Sequence, residues 1–85
     1  MQIKMDSEIE YFVETLESLV EDLSLKPREE LKKIISIMKK DSLSDEELIK
    51  IQEDLEQFTS VFKIDSFTRT EIMNIITEIE MLYNG

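Results

Sequence analysis

The chain has 85 residues, 41% of them hydrophobic and 35% charged, with one Gly, one Pro and neither Cys nor His. That length suits one domain with a single core and a modest stability margin, and the mix excludes a disordered chain and, for want of turn residues, an all-β one. Without Cys or His there is no disulfide framework, thiol nucleophile or imidazole base, and ten Lys and Arg against twenty Asp and Glu give a net charge of −10 that repels nucleic acid and anionic lipid.

Four amphipathic helices are predicted. Helix 1, about 7 to 23, opens with Ser7 and Glu10 at capping-box spacing, and Ile9, Phe12, Val13, Leu16, Leu19, Val20 and Leu23 fall on one stripe. Helix 2, about 27 to 40, takes Pro27 as its first residue, where a missing amide hydrogen costs nothing, and carries the stripe Leu31, Ile34, Ile35 and Met38. Helix 3, about 44 to 62, has Ser44 and Glu47 as a capping box and Leu43 and Leu48 as a hydrophobic staple, with Leu48, Ile51, Leu55, Phe58 and Phe62 as its stripe. Helix 4, about 66 to 83, repeats the device with Thr68 and Glu71 as box and Phe67 and Ile72 as staple, although Asp65 offers a cap one turn earlier. Its stripe is Ile72, Ile75, Ile76, Ile79, Leu82 and Tyr83. Short joins make consecutive helices antiparallel, so the expected fold is all-α: one domain over residues 1–85, a compact antiparallel four-helix bundle built from two helical hairpins.

The two hairpins share a pattern. REELKKII at 28–35 and RTEIMNII at 69–76 carry Arg, Glu, an aliphatic residue and Ile-Ile at the same places, 41 residues apart, and the stripes of helices 1 and 3 superpose at an offset of 39. Any two amphipathic helices slide into partial register, but Arg28 over Arg69 and Glu30 over Glu71 are not demanded by patterning and favour an internal pseudo-repeat. A cation in a first turn opposes the helix macrodipole, so each Arg needs another use. One reading is a pair of anion or partner contacts. The other, preferred here, is a structural brace: at 100° per residue each Arg lies about 70° from the centre of its apolar stripe, beside the end of the preceding helix with its orphan carbonyls. Arg28 is then placed to reach the end of helix 1 or Glu21 and Asp22, and Arg69 the end of helix 3 or Asp65.

Chemistry-bearing motifs are sparse. DSLSDEELIKIQ opens like a calcium loop at Asp41 and Asp45, but Leu43, Glu46 and Gln52 stand where a ligand, Gly and bidentate Glu are required. Glu10, Glu14, Glu17 and Glu21 follow one helical ridge, weak candidates for a divalent metal and, through Glu10, Glu14 or Glu17, for a carboxylate-dependent hydrolase; a solvated acidic face is the simpler reading. Lys32, Lys33, Lys39 and Lys40 form the one basic cluster. It lacks the aromatic companions of a nucleic-acid site and suits neutralisation of helix 1 better. Tyr11, Ile37, Ile49, Met73 and Met81 fall off their stripes and are candidates for a partner or homodimer surface. No catalytic or cofactor-binding residue is assigned.

LESLVEDLSLKPREELKKI and TRTEIMNIITEIE resemble the short archaeal proteins grouped as uncharacterised protein family zero-one-four-seven, over most of the chain from about Glu8 to Leu82. The family tends to have a second Pro entering its last helix, where this chain has Asp65, and Glu71 stands where an apolar residue is expected. The resemblance implies a four-helix bundle and no activity or catalytic residue. No apolar run approaches the roughly 20 residues of a membrane span, and MQIKMDSEIE lacks the apolar centre of a signal peptide, so the expectation is a cytoplasmic, non-enzymatic interaction or assembly module.

Overall fold

A computed structural model describes the backbone of residues 6–40 and 42–84 and the side chains of these from Glu8 onward. Four helices follow one another: α1 (Asp6–Val20), α2 (Leu25–Met38), α3 (Asp45–Val61) and α4 (Ser66–Asn84). α1 packs on α2, α2 on α3, α3 on α4, and α4 returns to α1, while the diagonal pairs stay apart. The result is an all-α four-helix bundle, because each helix has one apolar stripe that must be hidden and the four stripes converge on one axis. None of the described helices is long and apolar enough to cross a membrane.

The core is the set of predicted stripes almost unchanged. All seven residues of the first predicted stripe are buried, six in α1 and Leu23 in the turn after it, as are Leu31, Ile34, Ile35 and Met38 from α2, Leu48, Ile51, Leu55 and Phe58 from α3, and Ile72, Ile75, Ile76 and Ile79 from α4. Phe62, Leu82 and Tyr83, at the ends of their helices, are only partly covered, and Leu43 and Ile64 fold in from the connections to pack on the core edges.

The ends of the helices differ from expectation. α1 ends at Val20, and its last three expected residues form a tighter turn in which the Asp22 and Leu23 amides donate to Leu19 and Val20 carbonyls, both at 3.1 Å. α2 starts two residues earlier than predicted, with Ser24 as cap, so Pro27 is its third residue rather than its first and is buried. The residue before a Pro is biased away from helix, which hides this start in the sequence; Pro is nonetheless tolerated throughout a first turn, whose amides have no intrahelical acceptors. At its other end α2 stops at Met38, leaving Lys39 and Lys40 in the turn.

At α3 the Ser44 hydroxyl accepts from the Glu47 amide at 3.1 Å and the Glu47 carboxylate accepts from the Ser44 amide at 2.9 Å, a complete capping box. At α4 the earlier start prevails: Asp65 accepts from the Thr68 amide at 2.7 Å. Thr68, expected as the cap, is a buried residue of the first turn, and Phe67, expected as a staple, is 66% exposed. A carboxylate beside the positive end of a helix is a stronger acceptor than a Thr hydroxyl, which decides the competition. The side chain of Ser7, the capping box assigned to it and Asp41 lie outside the described residues.

Both caps that carry carboxylates are acid-sensitive. The Lys40 ammonium and the Ser44 amide hold Glu47 below its ordinary value of 4.5, and the Thr68 amide holds Asp65 below 3.8. A depressed folded-state pKa stabilises above the ordinary value and is lost as pH falls below it. The urea midpoint should therefore drop as pH falls below about 4.5, and the Glu47→Gln, Asp65→Asn double variant should show a shallower drop. Ser44→Ala should cost about 1 kcal/mol in urea unfolding, and Asp65→Ala should lower the melting temperature while Glu71→Gln leaves it unchanged.

Candidate interaction surface

Arg28 and Arg69 occupy equivalent places: each is the fourth residue after its cap, and each backbone amide donates to the cap carbonyl, Ser24 or Asp65, at 3.0 Å. Both therefore sit just beyond the first turn, where the opposition of the macrodipole has faded. Their side chains reach different carbonyls. Arg28 Nη2 donates to Leu23 in the turn after α1 at 3.0 Å, and Arg69 Nη1 donates to Thr59 in the last turn of α3 at 3.1 Å. The difference follows from the connections. After Val20 the chain keeps turning and leaves the Leu23 carbonyl open, whereas Phe62 is extended at φ −102°, ψ 145°, so α3 stops at once and the open carbonyls lie inside its last turn.

The α3–α4 hairpin has a second clasp that sequence reasoning missed. The Tyr83 hydroxyl donates to Oε1 of Gln52, a buried residue at the other end of the pair from Arg69 and Thr59. Tyr83 reads as the last apolar residue of its stripe and Gln52 as an ordinary polar residue, and only the antiparallel register brings them together. Burial and the nearby Glu80 and Glu56 carboxylates push the Tyr83 hydroxyl above its ordinary 10.0.

The charged candidates do not gather. Glu10, Glu14, Glu17 and Glu21 are all exposed along α1 and the turn after it, and Glu17 pairs with Lys39 at 2.8 Å. Among the described residues no three His, Cys, Asp or Glu side chains stand close enough to hold a metal ion. The basic cluster divides across α2. Lys32 and Lys39 line the α1–α2 groove with Arg28, Glu17 and Glu21, while Lys33 pairs with Glu30 at 3.4 Å and Lys40 pairs with Glu47 of α3. Half of the cluster thus meets helix 1, and the other half faces α3.

Tyr11, Ile37, Ile49, Met73 and Met81 are all exposed, and Leu25, Val61 and Phe67 join them. Leu25 and Phe67 stand in the sequence as a connection residue and a staple residue; Val61 lies about 100° from the centre of its stripe and is legible by the same angular count. Of the five candidates only Ile37 lines the groove between α2 and α3. There it meets Val61, Ile34, Phe58 and Phe62, with Glu30, Lys33, Asp54 and Gln57 around them. The Phe58 and Phe62 rings lie 5.2 Å apart at a tilt of 49°, an aromatic floor at one end of the groove.

Two ion pairs border this groove, Lys33–Glu30 on α2 and Lys50–Asp54 at 2.7 Å on α3, while Lys40–Glu47 lies apart from it, beside the connection that joins the two helices. Exposed pairs of this kind add little to stability, but they cancel charge locally. Comparison with family models, curated proteins and solved structures finds no match for the chain.

Arg28→Ala should destabilise by about 1–2 kcal/mol, since the bond is charge-assisted and part-buried, and Arg69→Ala, at a more exposed site, by about 0.5–1 kcal/mol in urea unfolding. Tyr83→Phe should lower the melting temperature at neutral pH. Because the folded-state Tyr83 pKa is raised, the wild type should also lose stability as pH rises above about 10, a loss that the Phe variant lacks.

Proposed function

We propose that the protein is a non-enzymatic interaction or assembly module of the cytoplasm, working through the groove between α2 and α3. The observation that carries this reading is the placement of Ile37 and Val61. Val61 is 63% exposed, and both flank a groove floored by Ile34, Phe58 and Phe62 although the core beneath is already closed by Leu31, Leu55 and their neighbours. Apolar side chains that are superfluous to the core and sit together over an apolar floor gain most from a surface brought by a partner.

The local charge supports the same side of the molecule. An interface centre disfavours unpaired charge, and at this groove Lys33 and Lys50 are matched by Glu30 and Asp54. The resemblance to the archaeal family belongs to this reading and adds no activity to it.

Immobilised wild-type chain and an Ile37→Asp, Val61→Asp variant should be compared in a native lysate. The wild type should retain at least one protein at near-stoichiometric yield, its own copy included, and the folded variant should lose it. Equal retention by both, or retention of nothing by either, would contradict the reading.

A further inference from the structure

We propose that the α2/α3 face is where two copies of this chain meet in a symmetric dimer. The inference rests on the reading of the protein as an interaction module and names the occupant of the groove.

Charge selects that occupant. The chain carries −10, but the surplus is unevenly placed: residues 25–40 hold six Lys and Arg against two Glu, which leaves four basic residues against eighteen acidic ones elsewhere. α1 contains no basic residue and exposes Glu8, Glu10, Glu14 and Glu17, and α4 sets Arg69 alone against Glu71, Glu78 and Glu80. A basic partner would be drawn to those acidic sides. A second copy bears the same surplus and is repelled there, whereas α2 offsets the six carboxylates of α3, so that residues 25–61 hold seven basic residues against nine acidic ones, and the apolar groove bordered by the Lys33–Glu30 and Lys50–Asp54 pairs is where it approaches at least cost.

Symmetry and area agree. A two-fold interface presents one patch to itself, so the patch must be self-compatible, which an apolar strip flanked by balanced charges satisfies. The molecule measures 40 × 20 × 18 Å, so one long side offers about 800 Å², the share per partner of a standard interface. That side therefore has room for an interface of standard size.

Sedimentation equilibrium of the purified full chain, from about 1 μM to 1 mM, tests this. The expected result is a monomer–dimer equilibrium that tightens several-fold as NaCl rises from about 20 to 500 mM, because salt screens the repulsion between the two negative bodies while the apolar contact persists. Ile37→Asp with Val61→Asp should remain monomeric throughout while keeping a helical circular-dichroism spectrum. Should that pair fail to fold, Val61→Glu alone, at an exposed position, should weaken the dimer at least about tenfold. Tyr11→Asp with Met81→Asp, outside the groove, should leave it intact.

A wild type that is monomeric at 1 mM overturns the proposal, and so does a dimer that weakens with salt, a dimer lost in the Tyr11 and Met81 variant but kept in the groove variant, or open-ended assembly. If the wild type is monomeric yet the lysate comparison yields a different protein dependent on Ile37 and Val61, the groove belongs to that partner and the interaction reading stands without the dimer. If both experiments are negative, both fall.

Discussion

Eight side chains with almost no solvent contact, two from each helix, fix this molecule: Phe12 and Leu16, Leu31 and Met38, Ile51 and Leu55, Ile72 and Ile79. Each is a large apolar group whose truncation to Ala would open a cavity at a cost of about 2–5 kcal/mol, a sizeable share of what a domain of this length has available. Because the two anchors on a helix determine its rotation about its own axis, they also determine what that helix presents outward. The position of Ile37 on α2 and Val61 on α3, over the same groove, is a consequence of where Leu31, Met38, Ile51 and Leu55 must point.

Polar contacts then set the ends. Arg28 and Arg69 close the carbonyls that two helices leave open, Ser44 with Glu47 and Asp65 close the amides at two starts, and Tyr83 with Gln52 ties the far end of the α3–α4 pair. These contacts are individually modest, but they specify register where the apolar stripe alone would tolerate sliding. α2 is the one basic element in an acidic chain, and its position between α1 and α3 gives it two different neighbours. Lys39 meets Glu17 on one side, and Lys33 and Lys40 pair with Glu30 and Glu47 toward the other.

The helix class and the core were legible because both follow from spacing. Ile9 to Leu23 or Leu48 to Phe58 can be placed on one face by counting, and no long-range information is needed. The start of α2 was not, because Pro27 looks like a first residue and is a third. The start of α4 falls at 66 as expected, but of its two candidate caps Thr68, which with Glu71 has the spacing of a box, loses to the Asp65 carboxylate three residues earlier. The Arg pair was legible as a repeat at matching places in the two hairpins, although the expected cost at a helix start is not incurred, whereas its choice of Leu23 in one hairpin and Thr59 in the other depends on the backbone of Phe62, which sequence pattern does not specify. Tyr83 and Gln52, 31 residues apart, are joined by tertiary register alone. The candidate surface was half legible: angular counting finds Ile37, but that Val61 shares its groove while Tyr11, Ile49, Met73 and Met81 do not requires the packed bundle.

Backbone amide NMR shifts recorded across a dilution series test, residue by residue, whether the α2/α3 face is the working surface of the molecule. Concentration-dependent shifts should concentrate at residues 30–37 and 54–62, with α1 and the outer face of α4 unmoved. Shifts centred on Tyr11 and Met81, or a spectrum that does not change from micromolar to millimolar concentration, would contradict it.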